Sequence, residues 1–398
     1  MHALFIPSWY PPTPTDTYGS FFREQALALR RHGITVGVIA PALRSLSEGL
    51  RALCGDFGLR EEIDEGLPTL RFHGVRAFSW HHGLNLRFWE WSGLRAFERY
   101  QRNHGKPDLL HVHATLFGLA WARAIHRRHG IPFVVTEHSS EFALNPPRPH
   151  LMAYLADTLP AASRCFCVSS ALSQRMSSLF PSEKIGKHWE VMPNLVSARF
   201  AVTCNARRDA DFTFLNVAGL NRNKGQHHLL VALAELRRHG AAVPRLRIVG
   251  TGPEESALKE LARTLELEDL VTFVGPLPRE QVAHEMAHCD ALVLASRYET
   301  FGVVAVEALT SGKPVVSTRS GGPEDIIIPG KDGLLIPTED PHALAEAMSQ
   351  LQREHSRFDA QDIRDRCIAR FGDEAFTRRH VEVYGSLRSS TPLSPAAR

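Results

Sequence analysis

Short runs of apolar residues alternate along this chain with longer segments whose apolar positions recur every three or four residues. HALFIP, at residues 2–7, reads as a buried strand, and after a Pro-rich loop SFFREQALALRRHG has helical spacing and a closing glycine. ITVGVIAP follows as a second strand. LLHVHA, IPFVVTEH, CFCVSS and HWEVMP continue the series, with LFGLAWARAIHRRHG as the helix between the first two. Strands separated by helix-length segments predict a parallel sheet covered on both faces. Around residues 200–212 the polar stretch SARFAVTCNARRDAD interrupts this rhythm, which then restarts. FTFLNVAG, LRIVGTGP, VTFVGPL, ALVLAS and KPVVST are strands of the second half; HHLLVALAELRRHG, ESALKELARTLEL, REQVAHEMAHC and VVAVEALTSG are its helices.

The pattern therefore predicts two Rossmann-like domains, residues 1–204 and 205–375. A helix at 376–388 is expected to pack back on the first domain, and a tail at 389–398 to be disordered. A length of 398 residues suits two domains. Ligands of doubly wound sheets bind at the carboxyl ends of the strands, so two such domains facing across a cleft should carry their chemistry in the loops just after strands.

Composition excludes several classes. Hydrophobic residues make up 43% and charged residues 22%, and no apolar stretch approaches the length of a membrane span. The opening MHALFIPSWYPP lacks the features of a secretory signal, which places the chain in the cytoplasm. Six cysteines in so long a chain do not make a disulfide framework, and a net charge of +3 does not announce nucleic acid. Basic clusters at 30–31 and 127–129 read as solvated helix ends, or as a peripheral contact of the first domain with the inner membrane face.

The loops after strands carry the candidate chemistry. In SRYETFGVVAVEAL, residues 296–309, Glu299 lies in the loop and Gly302 stands where a helix begins, so the helix amino-terminus suits an anion. Glu299 offers hydrogen bonds to sugar hydroxyls and Glu307 to both hydroxyls of a ribose; a loop cap and a solvated helix face are the bland alternatives. VAGLNRNKGQHHLLVAL places Lys224 and Gly225 between a strand and a helix, a seat for phosphate. In PDLLHVH, His111 and His113 project to one side of a strand, the geometry of a metal pair, yet no third ligand accompanies them. A sugar contact by His113 and a satisfied buried imidazole are the other readings.

Taken in order, these segments resemble those of the retaining nucleotide-sugar glycosyltransferases of family 4. SRYETFGVVAVEAL looks like that family's E-x7-E segment and covers Glu299, Phe301, Gly302 and Glu307. The resemblance implies the GT-B fold, with an acceptor-binding first domain and a donor-binding second one. It implies Glu299, His113 and Lys224 as catalytic residues. Lys224, Glu307, Arg222, Gly302, Phe301, Gly321, Gly322 and Gly19 would bind the donor. In STRSGGPEDIIIPGKDGLLI the paired glycines Gly321 and Gly322 let backbone approach a ligand. SWYPPTPTDTYGSFFREQALAL aligns Gly19 with the family's first loop and offers Arg23 as an anion contact; VVTEHSSEF aligns His138 with the acceptor side. Two departures stand out: Gly219 occupies the place of an arginine that helps hold the diphosphate, for which Arg222 is the substitute, and PNLVS replaces P-N-G-V-D.

The activity implied is transfer of a sugar from a nucleotide-diphosphate sugar to a hydroxyl of a glycan or lipid-linked acceptor, with retention, no metal and no other cofactor. The aromatic stretch FSWHHGLNLRFWEWSGL, at 78–94, is a candidate acceptor or membrane contact, or interdomain core. Two rivals come from other classes. A dinucleotide-dependent oxidoreductase lacks its G-x-G-x-x-G after the first strand. A non-catalytic sugar-nucleotide or membrane-surface binding protein of the same fold would not need both glutamates and the lysine.

Overall fold

The computed structural model describes residues 1–13, 19–45, 52, 54–75, 82–145, 147–201, 211–240 and 242–389. Positions 78–81 of the aromatic stretch, 202–210 of the polar stretch and all but the first residue of the tail at 389–398 lie outside the described residues. The chain folds as two compact units. One takes Met1–Val168, Ser173–Pro193 and the chain from Phe376 onward; the other takes Ser169–Leu172 and Asn194–Ala375.

The crossing into the second unit comes at Asn194, ahead of residue 205. Packing decides this: the Val196 amide donates to the Phe371 carbonyl at 2.9 Å, and the Ser311 hydroxyl donates to the carbonyl of buried Phe200 at 2.7 Å. The segment after Pro193 is thus bonded to the second unit ahead of residue 205.

The first unit holds an eight-stranded sheet. Its strands are β1 (His2–Pro7), β2 (Thr35–Arg44), β3 (Gly58–Asp64), β4 (Leu67–Val75), β5 (Leu109–His113), β6 (Phe133–Glu137), β7 (Arg164–Cys167) and β8 (Trp189–Val191), in the order β3-β4-β2-β1-β5-β6-β7-β8. All neighbours are parallel except β3 and β4, an antiparallel pair to which the sequence pattern assigns no element. β5 and β6 are buried along their whole length, as strands covered on both faces must be. From His82 onward the aromatic stretch lies in a helix, which runs His82–His104. In the helix Asp373–Ser389, Phe376, His380 and Tyr384 recur every four residues, so they share one face, and all three are buried.

The second unit holds six parallel strands: β9 (Thr213–Val217), β10 (Arg245–Val249), β11 (Val271–Gly275), β12 (Ala291–Leu294), β13 (Val315–Thr318) and β14 (Gly333–Ile336), ordered β11-β10-β9-β12-β13-β14. Phe214, Ile248 and Val293 from the strands meet Leu229, Leu233 and Met348 from the covering helices in its core. Each fully buried aliphatic side chain of this kind stabilises the unit by roughly 1.5–3 kcal/mol before chain entropy is counted. In each sheet the strand order reverses beside the unit's first strand, between β1 and β5 and between β9 and β12. Such reversals open a crevice at the strand ends.

Candidate active site

At the second reversal, three loops are knitted together. After β9 comes the short 3₁₀ turn Arg222–Lys224 and then the helix Gln226–Arg238; after β12 comes SRYETFG; after β13 comes the Gly321–Gly322 turn. Lys224 Nζ donates to Glu299 Oε1 at 2.6 Å, and the Ser296 hydroxyl donates to the same oxygen at 2.7 Å. The loop backbones are fixed as firmly. The Arg297 amide bonds the Asn223 carbonyl at 2.8 Å, the Glu299 amide the Ser320 carbonyl at 2.8 Å, and the Gly322 amide the Glu299 carbonyl at 2.9 Å. Gly322 is needed there because a Cβ would stand 2.2 Å from the Phe301 carbonyl oxygen.

The structure therefore brings together Lys224, Glu299, Gly321 and Gly322, with Gly302 starting the helix Val303–Thr310 beside them. It does not bring Glu307 to the lysine. Glu307 is buried in that helix and receives a hydrogen bond from Arg279 at 2.7 Å; Arg279 also lies over the Phe200 ring at 5.1 Å. The Phe301 side chain is buried against Phe371, a core position, so only its backbone lines the loop. Arg222 points to solvent, with its side chain 84% exposed and its guanidinium 3.6 Å from Glu254.

The first reversal assembles imidazoles. His113 ends β5 and His138 follows β6; their Nδ1 and Nε2 atoms stand 3.2 Å apart, one nitrogen donating to the other. His111 stacks on His113 with ring centroids 4.0 Å apart and is held by the Tyr384 hydroxyl at 2.6 Å and the Thr136 hydroxyl at 2.8 Å. His111 and His113 are fully buried, so desolvation of the imidazolium holds both well below the usual histidine range; His380 beside them is pushed down to about 4. His113 Nε2 has no hydrogen-bond partner among the described residues. No three His, Cys, Asp or Glu side chains are grouped to hold a metal ion among the described residues.

Gly19, with φ of 82°, caps the helix Ser20–Arg31 beside Trp9. Arg23 in that helix is buried, its Nε donating to Asp64 Oδ2 at 2.6 Å and its Nη2 to the Thr13 carbonyl at 2.9 Å. That pairing ties the helix to the end of β3 and gives Arg23 a structural duty within the unit. At the carboxyl ends of β1, β2 and β4 lies an open cavity of about 830 Å³, walled by Trp9, Tyr10, Trp89, Phe117, Arg44 and His73. Trp89 and Phe117 stack there with centroids 4.7 Å apart.

Two known families match the chain in succession. The family described as Glycosyltransferase Family 4 matches residues 19–199, and that described as Glycosyl transferases group 1 matches residues 204–368. The chain belongs to glycosyltransferase family 4. This family 4 glycosyltransferase is 28% identical over 414 residues to the D-inositol 3-phosphate glycosyltransferase of Corynebacterium urealyticum, with 95% of this chain and 92% of that protein covered. Its fold is similar to that of sucrose-phosphate synthase from Thermosynechococcus elongatus, with a TM-score of 0.76 at 21% identity over 98% of this chain and 100% of the other. The Anabaena protein Alr3699/HepE, in complex with UDP and glucose, gives a TM-score of 0.70 at 20% identity, covering 97% and 100%. These likenesses establish the GT-B fold.

Three residues of this family 4 enzyme escaped the sequence reading. Arg279 opens its helix directly after Pro278 and carries no sign that it will meet Glu307. Tyr384 reaches His111 across 273 residues of chain. Glu137 stood in plain view in VVTEHSSEF, and only its hydrogen bonds distinguish it from an ordinary loop carboxylate.

Proposed function

We propose that this enzyme transfers a hexose from a nucleoside diphosphate sugar to a hydroxyl group of a glycan or lipid-linked acceptor, with retention of anomeric configuration. The observation that carries the reading is the Lys224–Glu299 pair at 2.6 Å, set where the strand order reverses. On donor binding the diphosphate takes up the lysine charge, which frees Glu299 to accept hydrogen bonds from sugar hydroxyls. Main-chain N–H groups at the start of the helix Val303–Thr310, after Gly302, supply the remaining neutralisation, so the scheme uses no divalent cation. Glu307, aligned by Arg279, takes the ribose hydroxyls. The bond from C1 to the diphosphate oxygen breaks while the acceptor oxygen bonds C1 on the same face, and the acceptor proton passes to the departing diphosphate.

In the first unit, the buried His113 Nε2 costs roughly 1–3 kcal/mol while unpaired, a cost that a sugar hydroxyl would remove. His138, rather than the Asp64-bound Arg23, is the acceptor-side contact, with Gly19 lining the approach. The cavity walled by Trp89 and Phe117 suits the faces of acceptor sugar rings. We place the reaction at the cytoplasmic membrane face. On the helix His82–His104, exposed Leu84 and Trp91 share a stripe with Arg87 and Arg95, a surface fit for anionic lipid. No helix is long and apolar enough to cross a membrane among the described residues.

A UDP-sugar is the first donor to try, because Alr3699/HepE was solved in complex with UDP and glucose. A thermal-shift panel of UDP-, GDP-, ADP- and CDP-linked sugars is expected to yield one stabilising donor, by about 2.7 kcal/mol at a hundred times its dissociation constant, and the shift should vanish in Lys224→Ala. No shift with any donor, or an equal shift in the variant, sinks the reading. Product stereochemistry by NMR checks retention: an inverted anomer rejects the same-face route. Co-sedimentation with vesicles containing phosphatidylserine checks the membrane contact, which fails if Trp91→Ser binds as well as the parent.

A further inference from the structure

We propose that Glu137 is a positioning residue of the first unit's site: its carboxylate clamps the turn after β5 to the turn after β6 and thereby sets His113 and His138 against each other. The inference rests on the reading above that these histidines face substrate.

Glu137 is the last residue of β6 and is fully buried. Its two oxygens divide their bonds between the two turns. Oε2 accepts from the Thr115 amide at 2.8 Å and the Thr115 hydroxyl at 2.6 Å; Oε1 accepts from the amides of His138 at 2.9 Å and Ser139 at 2.7 Å. Thr115 is the second residue after His113. One side chain therefore grips the backbone beside one histidine and the backbone of the other.

The donors are all neutral. Burial raises the carboxyl from its ordinary value, and the four hydrogen bonds oppose that rise. A buried carboxylate with no ion partner among the described residues is a costly way to fill space, and an apolar residue or an amide would fill it more easily. What neither replacement offers is four acceptor positions directed at two turns, since a glutamine side chain presents an NH₂ where two N–H groups already point.

The turn it grips is under strain. Ala114, between His113 and Thr115, has φ of 62° and ψ of 129°, a conformation that a residue with a Cβ adopts only when its surroundings impose it. The imposing contacts are the Ala114 amide to the Thr136 carbonyl at 2.8 Å, the Ser8 hydroxyl to the Ala114 carbonyl at 2.6 Å, and the Glu137 bonds to Thr115. Released from Glu137, this turn has reason to relax, and the His113 ring would move with it.

The test is a long-range ¹H–¹⁵N spectrum of the imidazole nitrogens in the full chain without ligand, with His113→Gln and His138→Gln used to assign the two rings. Glu137→Gln and Thr115→Val are each expected to displace both rings' signals while leaving exposed His342 in place, and Thr115→Ser is expected to restore them. Unmoved rings in Thr115→Val overturn the proposal, even where Glu137→Gln does not fold. Under UDP-glucose turnover, Thr115→Val should lower kcat by about tenfold or more with KM within about twofold, the mark of misplacement rather than lost binding. Wild-type turnover by His113→Gln and His138→Gln would reject the site reading, whereas the spectra judge the clamp independently.

Discussion

The polar groups of the two units are kept in opposite electrostatic states. In the second unit, Lys224 and Glu299 form an ion pair whose side chains retain 25% and 14% exposure. In the first unit, His111, His113 and His380 are sealed from water and held neutral by the cost of burying an imidazolium. The difference separates two kinds of binding. A half-wet ion pair can surrender its cation to an incoming diphosphate at modest cost, because water and the ligand replace the partner. A dry array of imidazoles can exchange hydrogen bonds but not charge, which suits uncharged sugar hydroxyls.

The largest expected effect breaks the charged side of this comparison. Lys224→Ala or Glu299→Ala should reduce sugar-nucleotide turnover by about 10²–10³-fold, as loss of one charge-stabilising group does in other sites. Turnover near the parental rate in either variant would mean that the pair is only a surface contact. Arg279→Gln comes next. Its partner Glu307 has only 3% side-chain exposure, so the loss of the arginine charge beside a buried carboxylate should destabilise the protein by about 3 kcal/mol in urea unfolding, with partial recovery in the double variant with Glu307→Gln.

Acid sharpens the neutral side. An unfolded histidine titrates near 6.5 and folded His380 near 4, so between these values the unfolded chain binds the extra proton and stability falls as pH falls. The share of His380 is about 2 kcal/mol at pH 5 relative to pH 7, levelling off below about pH 4. A His380→Gln variant should lose that share of the pH dependence, and an unchanged melting profile from pH 7 to 5 would contradict the neutral array. The smallest effect is at Arg222. Its exposed side chain predicts that Arg222→Ala alters stability by no more than about 0.5 kcal/mol. A large loss of donor-induced stabilisation in that variant would instead show that the donor recruits it to the place left by Gly219.

The alternation of apolar runs with helical spacing made the strands and most covering helices legible, because a parallel sheet buried on both faces demands continuous apolar strands. The β3–β4 pair was not legible. GLREEID, exposed along most of its length at the sheet edge, shows no apolar run, and it pairs only because β4 offers it a free edge. The strand-end loops that carry Lys224, Glu299 and the paired glycines announced themselves by residue type, since such loops have few ways to hold an anion. Arg279 did not, because its role depends on a carboxylate 28 positions away on another helix.

By itself the sequence determined the repeating architecture, the family to which the chain belongs and the loops proposed to carry its chemistry. These follow from short-range periodicity and from residue types at strand ends. Only the tertiary structure decided which cation meets which carboxylate, that Tyr384 holds His111, and that Glu137 bridges two turns. Hydrogen bonds and ion pairs act over a few ångströms in space, and the order of residues along a chain does not state which of them folding will bring that close.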